Sequence, residues 1–314
     1  MRLYYKFSDF LKNRYGAKVY KLPVNIPVSC PNRDGKLGRG GCIFCGEEGA
    51  GFENLSCNLS VTRQLEINSE YIGKRYGSGK YIAYFQNYSN TYLPYQQFKK
   101  YIMEACIEGI AAIYISTRPD CVNETYIEFL EELSGDKGID IVLEIGLQTV
   151  NYHTLEKLNR KHGLAEFIDA AIRIKKHNLG VCAHYIIDLP MDDMDDVIEG
   201  AKILSALGVD QVKCHSMYIL EGTPMGEMYK TGEIQPVTLE EYLERIILFM
   251  EYLDPGIVIQ RLVGRAPADR TLFCNWGLSW WRIVDLIEEK MKKEMRFQGK
   301  KFNYLNGGRV TIEE

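Results

Sequence analysis

Cys30, Cys42 and Cys45 stand at C-x11-C-x2-C spacing in a loop punctuated by proline and glycine, Cys30-Pro31-Asn32-Arg33 … Gly40-Gly41-Cys42-Ile43-Phe44-Cys45-Gly46. Closely spaced thiolates suit an iron-sulfur cluster. A four-iron cubane held by three of them keeps one iron free of protein ligands, and the amino and carboxylate groups of S-adenosylmethionine (SAM) can occupy it. An open corner implies chemistry, whereas a fourth protein ligand implies electron storage or a structural role. Cys57 lies as far beyond Cys45 as Cys30 lies before Cys42, so C-x11-C-x2-C-x11-C also reads as a four-thiolate zinc ribbon. Phe44 before the last cysteine, and a downstream βα series in place of hairpins, favour the cluster.

The elements that must position such a loop follow from periodicity. Strand-like apolar runs occur at Lys18 to Val24, Tyr81 to Phe85, Ala111 to Ser116, Ile139 to Leu147, Val181 to Ile187, Gln211 to Ile219 and Ile257 to Leu262. Residues 61–77, 95–108, 123–133, 151–159, 164–177, 193–206 and 239–252 carry apolar residues at three- and four-residue spacing, as helices do. The alternation predicts an α/β fold, a partial (β/α) barrel of about six parallel strands with a C-terminal extension. Residues 1–265 form the barrel with a basic N-terminal segment, and residues 266–314 a basic helical extension packed on it. In such a sheet the ligand sits at the carboxyl ends of the strands. Those ends are polar: the cysteine loop, Gln86 to Thr91, Ser116 to Asp120, Glu144 and Gln148, His184 and Asp188, then His215 and Ser216. Six successive strand ends with hydrogen-bonding side chains exceed what core packing needs.

With 314 residues, 46% hydrophobic and 25% charged, the chain can bury a large core. Nine cysteines argue against a disulfide framework and for a reducing compartment. The start of the chain lacks an apolar stretch of signal-peptide length and no run reaches membrane-span length, so a cytoplasmic protein is expected. Net charge is -4, yet both ends are basic: residues 2–21 hold six Lys or Arg against Asp9, and residues 290–309 hold seven against Glu294. A polyanion would therefore be drawn to the termini if these meet in space, whereas the alternative is a solvated helix face.

The triad with Phe44, together with the strand-end motifs, resembles the radical SAM superfamily, and the whole chain is similar to the small bacterial YhcC-like radical SAM proteins. That similarity spans residues 14–305, including Arg14-Tyr15-Gly16, Tyr84-Phe85-Gln86, Leu143-Glu144-Ile145-Gly146-Leu147-Gln148-Thr149 and Cys274-Asn275-Trp276-Gly277. Thr117-Arg118-Pro119-Asp120, Asn159-Arg160, Asp188-Leu189-Pro190 and Glu221-Gly222-Thr223-Pro224 resemble the radical SAM domain of the elongator catalytic subunit, which modifies wobble uridines of tRNA.

The resemblance implies a 4Fe-4S cluster on Cys30, Cys42 and Cys45, with SAM as cofactor. Asn87, Tyr88 and Ser89 take the place of the Gly-Gly motif that holds the SAM amino group. Ser116 stands where many relatives have Glu. Thr117, Gln148, Arg160 and His184 line the ribose, carboxylate and sulfonium region, Arg160 facing the carboxylate because its planar fork allows bidentate pairing. The implied chemistry is one-electron cleavage of SAM to a 5′-deoxyadenosyl radical that takes a hydrogen atom from substrate. Cys121, Cys214 and Tyr218 are candidates for a later hydrogen or proton transfer. The expected substrate is a tRNA wobble uridine whose carboxymethylaminomethyl group is shortened to aminomethyl, with an electron donor such as flavodoxin or ferredoxin and no membrane. A chain of this length has no room for the elongator acetyltransferase domain, and Gly264-Arg265-Ala266-Pro267 replaces an Asp expected from relatives. A peptide or small metabolite as substrate, or a non-catalytic zinc-ribbon RNA-binding protein, are the other classes.

Overall fold

Parallel strands covered on both faces are built from uninterrupted apolar runs, and the runs of this chain become such strands. The computed structural model describes residues 2–46, 54–77, 79–267 and 269–307. Helix α1 (Phe7–Tyr15) precedes β1 (Val19–Val24); α2 (Val61–Tyr76), β2 (Lys80–Phe85), α3 (Tyr95–Glu104), β3 (Ile110–Thr117), α4 (Glu124–Lys137) and β4 (Asp140–Gln148) follow. Then come α5 (Tyr152–Lys157), α6 (Leu164–Lys176), β5 (Gly180–Ile186), α7 (Met194–Ala206), β6 (Gln211–His215), β7 (Tyr218–Leu220), α8 (Pro224–Lys230), α9 (Leu239–Tyr252), β8 (Val258–Arg261), β9 (Thr271–Cys274) and α10 (Trp280–Lys293). Seven strands pair in parallel in the order β1-β2-β3-β4-β5-β6-β8, giving a curled half-barrel with a C-terminal extension. Among the described residues no helix is long and apolar enough to cross a membrane.

The outward faces of the strands pack against the helices. Ile113, Ile115, Leu143, Ile145, Val181 and Ala183 are fully buried together with Phe98, Leu130, Phe167 and Leu204, and each large apolar side chain so buried contributes about 1.5–3 kcal/mol. Helix ends are capped locally: the Asp193 carboxylate accepts from Asp195 N and Asp196 N, while Asp196 returns a bond to Asp193 N. Helix α1 closes the lumen from below. Its Leu11 packs against Tyr84, Tyr114 and Val142, and Arg14 makes a two-pronged bond of 2.9 and 2.7 Å to Asp140 at the start of β4.

The expected single strand from Gln211 to Ile219 is two. Asp188 accepts from Met217 N at 2.6 Å, and Ser216 Oγ donates to Asn275 and accepts from Gly264 N, so the chain leaves the sheet after His215. Strand β7 then pairs with β9 in a separate antiparallel ribbon.

The termini do meet. Gln298 N bonds Leu3 O at 2.8 Å, and Tyr5 N bonds Gln298 Oε1 at 2.8 Å. Four of the cations there pair with acids of α9 and α10: Lys6 with Glu288 (2.7 Å), Arg296 with Glu244 (2.7 Å) and Glu251 (2.9 Å), Lys301 with Glu251 (2.8 Å), and Lys290 with Glu240. Lys292, Lys293 and Lys300 remain exposed, and Arg309 lies outside the described residues. Local ion pairing thus takes up part of the basic charge at the ends, and Arg2, Lys12 and Lys18 are exposed as well.

Candidate active site

The cysteine loop follows β1 and is clasped to the segment after α5. Asn32 Nδ2 donates to Asn159 O (2.6 Å), Asn159 Nδ2 donates to Gly41 O (2.8 Å), and Ile43 N donates to Leu158 O (3.1 Å). These bonds bring Arg160 against the sulfur of Cys42, with Nη1 at 3.3 Å. The Cys42 thiol is held well below its ordinary range, first by its hydrogen bond with Cys45 and then by the Arg160 guanidinium, which together outweigh burial. That shared bond, with burial, pushes Cys45 up. Two thiols that share one proton beside a fixed cation are disposed to become adjacent ligands once both are deprotonated.

Cys30, Cys42 and Cys45 line one cavity with Phe44, Tyr88, Ser89, Ser116, Thr117, Gln148, Arg160 and His184. The cavity has a volume of about 190 Å³ and is partly open to solvent. Asn87 does not line it. Its Nδ2 points to Asn25 Oδ1 at 3.4 Å, and Tyr88, at φ 50°, turns the chain so that Tyr88 and Ser89 face the space instead. Gln148 also has positive φ, 76°, a strained conformation that persists at functional sites because its surroundings enforce it. Two residues earlier, a Cβ on Gly146 would come within 2.8 Å of Gln148 Nε2 and 2.9 Å of Arg160 Nη2, so a larger residue there would displace the tips of both side chains. Tyr218 lines the cavity; Cys214 is buried in the main core and Cys121 lies off the cavity wall. Cys57 is exposed and also lies off that wall, so the four-thiolate arrangement is not assembled.

Beneath the cysteines lies an ionic cluster in the lumen that sequence reasoning found only in part. Glu144, fully buried on β4, accepts from Lys21 Nζ (2.8 Å) at Oε1, and from Lys213 Nζ (2.6 Å), His184 Nε2 (3.0 Å) and Ser116 Oγ (3.2 Å) at Oε2. Burial alone would raise its carboxyl, but Lys21, Lys213 and His184 hold it well below the usual carboxylate range. Burial and Lys213 push His184 down to about 4, so its imidazole is neutral at pH 7. Cys182, with Glu144 and His184, has the spacing of a cation site, yet two ammonium groups on the same carboxylate oppose a cation there. Lys21, Lys213 and Arg261 went unnoticed as site residues. For Lys21 and Lys213 strand parity, the same as that of the inward-facing residues around them, was the available signal; Arg261 has the parity of the outward-packed Ile259 and gives none.

A polar ligand fits this space. Ser89 Oγ, Arg118 Nη1 and Arg160 Nε, all of residues lining it, are buried without a hydrogen-bond partner, and native interiors leave few such atoms unless a ligand or water serves them. Three thiols on one wall and unpaired donors on the others suit a cluster with an open corner and a charged cofactor bound against it.

The comparisons agree. A model described as the radical SAM superfamily matches residues 26–204, and one described as its C-terminal domain matches residues 209–293. Protein YhcC of Escherichia coli is 31% identical over 277 residues, 88% of each chain. The tRNA uridine(34) acetyltransferase of Methanocaldococcus jannaschii is 28% identical over 199 residues, 61% of this chain but 35% of that protein. The solved structure of Methanocaldococcus infernus Elp3 lacking its N-terminus superposes with a TM-score of 0.67 at 18% identity, covering 89% of this chain and 64% of the other, a likeness of fold alone. Enzymes of the superfamily use a 4Fe-4S cluster and SAM.

Proposed function

The chain belongs to the radical SAM superfamily, and from that premise we propose that it modifies tRNA, shortening the carboxymethylaminomethyl group of a wobble uridine to aminomethyl. The observation that carries the substrate class is the 199-residue match to an enzyme named for uridine 34 of tRNA. An exposed aromatic surface suits RNA as well. Trp280 and Trp281 are exposed, and the Arg265 guanidinium lies 4.3 Å over the Trp280 ring, offering planes on which unpaired anticodon bases stack. Selection of the uridine follows from insertion of its base into the cavity toward His215 and Tyr218.

Cys30, Cys42 and Cys45 would hold the cluster, and Phe44, Tyr88, Ser89, Ser116, Thr117, Gln148, Arg160 and His184 would hold SAM, with Asn87 buttressing that turn from behind. When bound, the pair supplies a 5′-deoxyadenosyl radical that takes one hydrogen atom from a C–H bond. Loss of that atom from the methylene between nitrogen and carboxylate, then of one proton and one electron to a carrier of the flavodoxin or ferredoxin class, leaves an imine. Water splits it to the aminomethyl group and glyoxylate. The chain's own work is to hold the tail in register and keep the lumen closed, which α1 does from below.

Mass spectrometry of tRNA nucleosides tests the substrate. Cells without the protein should lose the aminomethyl form and accumulate the carboxymethylaminomethyl form. Identical profiles would end the tRNA reading and return the peptide or small-metabolite class.

Arg160 has two tasks in this arrangement, because its Nη1 meets Cys42 while its Nε is unpaired. Arg160→Ala should weaken SAM binding about ten- to a hundredfold, the loss of one charge-assisted bond of about 1.5–3 kcal/mol. It should also lower the cluster's reduction potential, since a cation and a donor leave the sulfur. Calorimetric SAM titration and redox titration followed by electron paramagnetic resonance read the two effects. Unchanged affinity and potential would reduce Arg160 to a packing role.

A further inference from the structure

Strand β8 joins the sheet with an irregularity that has a chemical consequence. Val212 pairs with Ile259, but the next pair is Lys213 with Arg261, so Gln260 is an extra residue. A bulge re-aims side chains, and this one sends two consecutive residues into the lumen. Gln260 bonds Lys21 Nζ (2.7 Å) and Gln211 Oε1 (2.7 Å). Arg261, level with Lys213, lies with Nη2 2.8 Å from His215 Nε2. His215 is on the cavity wall.

Arg261 is the unbalanced member of the lumen. Its Nε is buried without a partner, and no carboxylate of the described residues forms an ion pair with it. Glu144, the carboxylate at this level, is occupied at both oxygens by Lys21, Lys213, His184 and Ser116. Three cationic side chains thus face one anion. A guanidinium does not shed its proton in a protein, and burying it uncompensated is costly. Burial and the neighbouring Arg261 cation hold His215 neutral. The Arg261 Nη2 group lies against both ring nitrogens of His215, Nδ1 and Nε2, so the imidazole holds that arm of the fork and the Arg261 Nε stays unpartnered.

We propose that Arg261, with His215, is the receptor for a carboxylate on the substrate, holding it so that the adjacent C–H bond faces the cysteine wall of the same cavity. A planar fork fixed at one arm by an imidazole, with a free Nε–H beside it, matches the geometry of a carboxylate. The identity of that group as the tail of the modified uridine rests on the function proposed above; the receptor itself rests on the bulge, the unpaired Nε and the missing counter-charge.

The test is binding by reconstituted full-length protein, measured by calorimetry. One probe is an anticodon stem-loop RNA carrying carboxymethylaminomethyluridine, compared with the same RNA whose tail carboxylate is an amide; the other is N-methylglycine compared with its amide. Wild type should bind the acid of each pair roughly tenfold or more better, as expected for one charge-assisted contact. Arg261→Gln should bind acid and amide alike, at the wild-type level for the amide, and Arg261→Lys should recover part of the preference. Preference for N-methylglycine over its amide, abolished by Arg261→Gln but without recognition of either RNA, would sink the tRNA reading and leave the carboxylate receptor standing. Equal binding of acid and amide by wild type, preference retained in Arg261→Gln, or selective binding of inorganic phosphate over both acids would overturn the proposal. The wild-type comparison needs no variant, so it stands even if substitutions at Arg261 disturb folding.

Discussion

Replacing Cys42 by Ala is expected to abolish both the iron-sulfur cluster and the reductive cleavage of SAM, while Cys57→Ala leaves them at wild-type levels. Cys42 is 3% exposed, shares a hydrogen bond with Cys45 and takes another from Arg160, so it is the most tightly framed thiol of the three. Its loss leaves two ligands on a wall built for three. Cys57 is exposed and away from that wall. Iron and sulfide per chain after anaerobic reconstitution, and 5′-deoxyadenosine formed under reduction, measure the outcome. Equal loss in the two variants would establish a fourth thiolate ligand and close the corner where SAM must bind.

The barrel was legible because burial on both faces writes each strand as an unbroken apolar run; Ala111 to Ser116 and Val181 to Ile187 fall within a residue of β3 and β5. Their carboxyl ends follow from topology alone, which is why Ser116, Gln148 and His184 reach the cavity. What escaped depends on contacts far apart in the chain. The break after His215 is made by Asp188 and Asn275, 29 and 59 residues from their partners. Asn87 and Tyr88 differ in direction because of one positive φ that their side chains do not announce. Lys21 and Lys213 look like solvated residues until strand parity sets them opposite Glu144. Segment charge likewise hid the α9 acids that neutralise Lys290, Arg296 and Lys301, some 50 residues away.

Glu144→Gln should destabilise the fold by about 3–5 kcal/mol, the cost of breaking a buried ion pair at one partner. The variant keeps the shape of the side chain but leaves the Lys21 and Lys213 ammonium groups, 2.8 and 2.6 Å away, without a counter-charge. Replacing the whole cluster with apolar residues, Lys21→Met, Glu144→Leu and Lys213→Met together, should recover most of the loss, because paired charges and well-packed hydrophobes are nearly equivalent in a core. The pH dependence has a definite sign. Glu144 and His184 both have folded-state pKa values below their unfolded ones, so each contributes stability that is present above the unfolded pKa and lost on acidification. For His184 the loss begins near the ordinary value of 6.5 and is complete below about 4; for Glu144 it begins near the usual carboxylate range and continues well below it. The stability gap between wild type and Glu144→Gln should therefore narrow as the pH falls below about 4. Denaturant unfolding across a pH series measures it. A Gln variant within about 0.5 kcal/mol of wild type at pH 7, the range of ordinary surface substitutions, would mean that the two lysines are solvated and that the lumen beneath the cysteines is wet rather than ion-paired.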